Sequence, residues 1–136
     1  MLTIVLDANL YVSALLTPAG ESMEVLHRAR QHTLCVSSYI LTEVKNTLYS
    51  PRLRKKYSYS DDAVERHLRN IRIFSERIEP KIVLEVCSDR YDDAVLACAV
   101  EASADYLVTR NTKDFPAEFS RVRVITPKYF LELTKS

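Results

Sequence analysis

Short apolar runs alternate with amphipathic stretches along the whole chain, and that alternation restricts the fold more than any other feature. Residues 2–6 (LTIVL), 34–37 (LCVS), 82–86, 106–108 (YLV) and 122–125 read as strands. Between them, apolar residues recur at helical spacing over 8–16, over 21–31 and from Ser37 or Ser38 to about Tyr49. In the last of these, Leu41, Val44 and Leu48 mark the apolar face. After Ser50-Pro51 the stretch RLRKKYSY reads as a basic connection. Ser60-Asp61-Asp62 then opens a helix whose face is Val64, Leu68, Ile71 and Phe74. Asp92 or Asp93 begins an alanine-rich helix, and Thr126-Pro127 caps a final one through KYFLEL. Strands that alternate with helices need crossover connections, so a parallel sheet covered on both faces is expected. The predicted class is a three-layer α/β/α sandwich with a mostly parallel sheet, formed as one domain over residues 1–136. Neither a repeat nor a flexible linker interrupts it.

Several function classes are excluded at once. Gly20 is the only glycine, whereas a Walker loop or a dinucleotide fingerprint needs several beside a helix start. A formal charge of +1 rules out a strongly basic coat, so any nucleic-acid contact must be a local patch. Cys35, Cys87 and Cys98 are odd in number and lack CxxC spacing. They read as buried reduced thiols, and His27, His32 and His67 do not complete a zinc set with them. No signal peptide and no run near the roughly 20 apolar residues of a membrane span is evident, so a cytoplasmic protein is expected.

In open parallel sheets ligands sit beyond the carboxyl ends of the strands. Asp7 directly follows the first strand, and Glu43 lies in the first turns of the helix after LCVS. Asp93 starts the helix after the third strand, and Thr109, Asn111 and Asp114 follow YLV. Four connections thus deliver carboxylates to one edge. Each has a plainer use: Asp7, Asp92, Asp93 and Asp114 as caps or helix-start charges, Glu43 as a solvated residue. Gathered together, however, the four repel and require a cation. Oxygen donors without His or Cys suit Mg²⁺ or Mn²⁺, one ion or two. The matching chemistry is metal-assisted phosphodiester hydrolysis, with no side-chain nucleophile.

The strand ending in DAN, the helical Glu43, RYDDAVLACAVEASADYLVTRNTKDF and the final TPKYFLEL together resemble the PIN domain family over essentially the whole chain. VSALLTPAG and PRLRKKY narrow the likeness to small prokaryotic PIN proteins classed as toxins of toxin–antitoxin pairs, the VapC-like ribonucleases. The resemblance implies an Mg²⁺- or Mn²⁺-dependent endoribonuclease whose catalytic and metal-holding acids are Asp7, Glu43, Asp93 and Asp114. Asp93 is preferred to Asp92 for its spacing to Leu96-Ala97, with Asp92 the alternative. Many members carry an acid where Asn111 stands, and here Asp114 supplies the fourth charge. Asn9, Thr109, Asn111 and Asp92 are expected to support the acids.

Arg52, Arg54, Lys55 and Lys56, interleaved with Tyr57 and Tyr59, form the densest basic stretch and a candidate RNA contact. Arg66, Arg69 and Arg72 extend it, and Arg110 would meet phosphate if it turns toward the acids. RNA substrate, a cognate antitoxin and a homodimer are the expected partners. The candidate dimer surface lies around Tyr11, Leu15, Met23 and Leu26, residues that serve a core equally well. Two alternatives compete: a non-catalytic binding protein on the same fold, and an aspartyl-nucleophile phosphatase or phosphoacceptor domain. Against the latter, Asp7-Ala8-Asn9 puts an amide where a second acid would act.

Overall fold

The computed structural model describes residues 1–135. Its sheet begins with β1 (Thr3–Leu6), in which Ile4, Val5 and Leu6 are fully buried. Strands buried on both faces read as continuous apolar runs, which is the pattern of a parallel sheet's centre. α1 (Ala8–Leu16) and α2 (Glu21–Ala29) lead to β2 (Thr33–Val36), and α3 (Ser38–Leu48) follows. α4 (Pro51–Lys56), α5 (Asp61–Phe74), β3 (Glu76–Arg77) and α6 (Arg90–Glu101) come next. β4 (Tyr106–Val108), β5 (Glu118–Phe119), β6 (Val122–Ile125) and α7 (Pro127–Leu133) complete the order.

The strands lie in the order β3-β2-β1-β4-β6-β5, all parallel except β5, which pairs antiparallel with β6. The chain therefore winds outward from β1 through β2 to β3, then crosses back to β4 and winds the other way. Right-handed crossovers in opposite directions place their helices on opposite faces of the sheet. The predicted three-layer, mostly parallel architecture is what results. The reversal falls between β1 and β4, and a crevice at such a switch point is where open α/β sheets bind ligands.

Helix starts follow their caps. Ser37 accepts from the Ile40 N–H, Ser60 from Ala63 and Thr126 from Tyr129, each about 3.1 Å away. Where glycine is wanted but absent, serine substitutes. α6 ends with Ser103 at φ 52°, while the Ala104 N–H reaches Ala99 O (2.9 Å) and the Ser103 N–H reaches Val100 O (3.0 Å). This pairing is a Schellman motif with serine at its left-handed position.

Four sequence expectations need correction. Residues 82–86 are not a strand: Ile82, Val83 and Val86 are exposed, and the sheet instead ends in Glu76–Arg77, paired with Cys35 and Val36. A two-residue charged edge carries no hydrophobic pattern to read, and such edges resist unwanted pairing. RLRKK is helical, because Pro51 occupies the first helical position and Leu53 packs inward. α6 begins at Arg90, capped by Asp89, so Asp92 and Asp93 lie inside its first turn. Cys87 is half-buried, unlike Cys35 and Cys98, although all three thiols are free.

Tyr11 and Leu26 belong to the core, with Leu15 and Met23 packed against it. Among the described residues, no helix is long and apolar enough to cross a membrane.

Candidate active site

Asp7 occupies the N-cap position of α1, yet its side chain caps nothing. Its own N–H donates to Val108 O at 3.0 Å, binding β1 to β4 at the switch point. Its carboxylate is held from two sides instead. Tyr91 Oη donates to Oδ1 at 3.0 Å, and Thr109 Oγ1 donates to Oδ2 at 2.8 Å. Both holders are themselves held. The Ala8 N–H donates to Tyr91 Oη (3.1 Å), and the Asn111 N–H donates to Thr109 Oγ1 (3.1 Å). Thr109 is fully buried, and its N–H continues the ladder to Ile125 O at 3.0 Å. Each oxygen of this buried carboxylate is fixed by one neutral donor and has lone pairs to spare, which is how ligating carboxylates are oriented.

Asp92 and Asp93 are adjacent in sequence and differently employed. Asp93 Oδ1 accepts the Val86 N–H (3.0 Å) and the Cys87 N–H (2.7 Å), fastening the loop before α6. Desolvation acts to raise its carboxyl, but the Cys87 and Val86 N–H groups and the Cys87 thiol hold it below the usual range. Asp92 behaves in the opposite sense. Burial pushes its carboxyl up to about 6, aided by the charges of Asp89, Asp7, Asp114 and Asp93. A carboxyl raised by like charges marks where negative potential accumulates. The same field acts on Tyr91, raised first by burial and then by Asp7, with Glu43 contributing. Burial and the carboxylates of Asp93, Asp92 and Asp114 push the Cys87 thiol up to about 12, so it stays protonated at neutral pH.

The sequence-predicted residues therefore divide. Besides burial, the charges of Asp89, Asp7, Asp114 and Asp93 act on Asp92, and those of Asp7 and Glu43 act on Tyr91. Asp114 sits exposed in a 3₁₀ turn over Thr112–Asp114, and Glu43 is half-buried on α3. Thr109 orients Asp7, and Asn111 supports Thr109 through its backbone, while its side chain and Asn9 are exposed. Asp93 fastens the loop through Oδ1 and adds its charge to the same cluster. Two participants escaped sequence reasoning: Tyr91, and Asp89, whose side chain caps α6 by accepting the Tyr91 N–H at 2.8 Å. The segment DRYDD carried the one available signal, an aromatic placed against a cluster of acids.

The basic residues do not gather at this edge. Arg110 turns away from the acids, donating to Ser22 Oγ (2.5 Å) and Ser13 Oγ (3.3 Å), with Glu21 3.6 Å away. Arg54 bridges Asp61 at 2.7 Å and lies over the rings of Tyr49 and Tyr59. Tyr59 donates its hydroxyl to Leu48 O, so that ring is engaged by the core. Arg52, Lys55 and Lys56 are exposed on α4, which follows the end of α3.

In chemical type the donor set suits a hard divalent cation, being all oxygen and mutually repelling. Among the described residues, no group of three His, Cys, Asp or Glu side chains is gathered closely enough to hold a metal ion.

Comparison with known proteins agrees with this fold. The uncharacterized protein MJ1680 of Methanocaldococcus jannaschii is 28% identical over 139 residues, 95% of this chain and 89% of that protein. Two solved structures share the fold at 18% identity. One is a chain of VapBC2 from Rickettsia felis, solved bound to a DNA fragment from the promoter, with TM-score 0.62 over 91% of this chain and 98% of that one. The other is PAE2754 from Pyrobaculum aerophilum, with TM-score 0.64 over 98% and 89%. PIN domains are generally nucleases that use divalent metals. A PIN domain model matches residues 3–113, and the chain belongs to the PIN domain family.

Proposed function

We propose that this chain is an Mg²⁺- or Mn²⁺-dependent endoribonuclease in which Asp7, Glu43, Asp92 and Asp114 hold the ion. One observation carries the reading: Asp7, clamped by Tyr91 and Thr109, shares its crevice with an Asp92 whose carboxyl is raised to about 6 by burial and neighbouring acids. In the absence of a cation, that crowding is unfavourable. A divalent ion bound there supplies an activated water and neutralises charge on the phosphodiester. The protein's own work is orientation. Tyr91 and Thr109 fix both oxygens of Asp7, Asp93 fixes the loop from which α6 presents Asp92, and the buried ends of β1 and β4 exclude water beneath.

Single-stranded RNA is the substrate this reading expects, since its splayed bases leave a phosphate free to enter a narrow crevice. Exposed Arg52, Lys55 and Lys56 on α4 would meet phosphates of a flanking stretch of the strand. Likeness in fold to a VapBC2 chain supports a toxin role, with a cognate antitoxin as partner and the cytoplasm as the place of action. Brief incubation of purified protein with single-stranded RNA, with Mg²⁺ or Mn²⁺, tests the proposal. Cleavage by wild type and none by Asp7→Asn is expected. No cleavage of any RNA with either ion, and no metal bound, overturns it.

A further inference from the structure

Beside the acids lies a feature that metal chemistry does not use. Tyr39 stands one helical turn before Glu43 on α3, so the two share a face. Its ring is 44% exposed although it is large and apolar. It lies 5.7 Å, centroid to centroid, from the ring of Tyr91, whose hydroxyl holds Asp7. Tyr39 also walls two adjoining hollows, of about 270 and 180 Å³, that share Ile82, Ala94 and Ala97. Ala94 and Ala97 give these hollows small side chains on α6, and Asp93 lines the one nearer the acids. Exposed Ile82 and Val83, with Pro80, supply further apolar surface.

The polar content of this place is selective. The Glu79 carboxylate lines the larger hollow, accepting from the Ser38 N–H (2.7 Å) and from Ser38 Oγ. Arg90 and Asp93 give the smaller hollow charges of both signs, and Arg77 donates to Ser38 Oγ at 2.9 Å beside Glu79. A flat apolar group carrying an N–H donor suits the apolar walls and the Glu79 carboxylate together. Nucleobases have that chemistry, and aromatic side chains receive unstacked bases in single-stranded recognition.

We propose that Tyr39 and the 80–84 loop form a base pocket that takes one unstacked nucleobase of the RNA next to the reacting phosphate. Glu79 favours bases with an amino group over uracil. This rests on the ribonuclease reading for its substrate, but it is tested by binding alone.

The probe is a short single-stranded oligoribonucleotide, with an abasic site walked through each position, titrated into wild-type protein, Tyr39→Ala and Tyr39→Phe in Ca²⁺. One abasic position is expected to weaken wild-type and Tyr39→Phe binding about tenfold. That penalty is lost in Tyr39→Ala, whose own affinity is lower by a similar factor. Uracil at that position binds wild type several-fold more weakly than adenine or cytosine. An abasic penalty that persists unchanged in Tyr39→Ala, or wild type that discriminates at no position, overturns the pocket. Coupling between Tyr39 and one base without any RNA cleavage would preserve the pocket and sink the nuclease. Cleavage without coupling would do the reverse.

Discussion

Asp7 and the Asp92–Asp93 pair show how much one residue's neighbours decide. From sequence, Asp7 at the end of a buried strand is either a cap or a ligand. Its side chain makes no cap bond and is gripped by Tyr91 and Thr109 instead. The strand-end position was readable because the apolar run stops at the acid. Tyr91 was not readable, because its bond to Asp7 spans 84 residues and depends on where α6 lands. Asp92 and Asp93 are indistinguishable as letters, yet adjacent helical residues point about 100° apart. Asp93 Oδ1 fastens the loop, whereas the Asp92 carboxyl is raised by burial and the surrounding acids. Asp93→Ala should therefore cost about 1–3 kcal/mol, since the Val86 and Cys87 N–H groups lose their acceptor. It should leave Mn²⁺ binding largely intact. Asp92→Ala should do the opposite, keeping metal-free stability or raising it slightly while Mn²⁺ affinity falls more than about tenfold. Urea unfolding without metal and calorimetric Mn²⁺ titration of both variants separate the two roles. Loss of Mn²⁺ binding in Asp93→Ala alone would reverse the assignment.

At the level of elements, legibility followed hydrophobic pattern and failed where pattern was absent. β1, β4 and β6 are apolar or β-branched, and they formed where the spacing placed them. β3 and β5 are two residues each and owe their pairing to the neighbouring strand, so nothing local announces them. The 82–86 run was misleading for the converse reason. Its apolar residues line the hollows beside Tyr39 rather than a sheet, so pattern there reflects a surface. The scarcity of glycine leaves a mark at this scale too. Ser103 holds the left-handed position closing α6, at φ 52°. Such a conformation costs a residue bearing a Cβ about 1 kcal/mol. Ser103→Gly should therefore stabilise the protein by up to about 0.6 kcal/mol, after the entropy glycine adds to the unfolded chain. Thermal unfolding reads the gain, and an unchanged or lower midpoint would show that the turn is unstrained.

Across the whole molecule, function follows from where the winding reverses. Strand order β3-β2-β1-β4-β6-β5 puts the carboxyl ends of β1 and β4 side by side, and the acids collect there. Sequence alone reached the layers and placed Asp7 and Thr109 at strand ends, because strand ends in a parallel sheet share a direction. It did not reach the strand order. The amino end of the same sheet is secured by a different carboxylate. Asp105 accepts the Thr3 N–H (2.8 Å) and pairs with Arg121 (2.7 Å), linking the start of β1 to the approach of β6. The Thr3 N–H, more than Arg121, holds its carboxyl below the usual range, against the raising effect of desolvation. A depressed carboxyl contributes stability above its unfolded value, near 3.9, and loses it as pH falls through the folded value. Asp105→Asn should cost about 1–2 kcal/mol at pH 7. The gap to wild type should close below about pH 4, as urea unfolding at pH 7 and pH 3 would reveal. The acidic edge itself is tested most directly by the chemistry of the RNA ends it makes. Cleavage in ¹⁸O-labelled water with Mn²⁺ should leave 3′-hydroxyl ends and 5′-phosphates carrying solvent oxygen, with no product from Asp7→Asn. Cyclic 2′,3′-phosphate ends, formed with or without metal, would contradict the account.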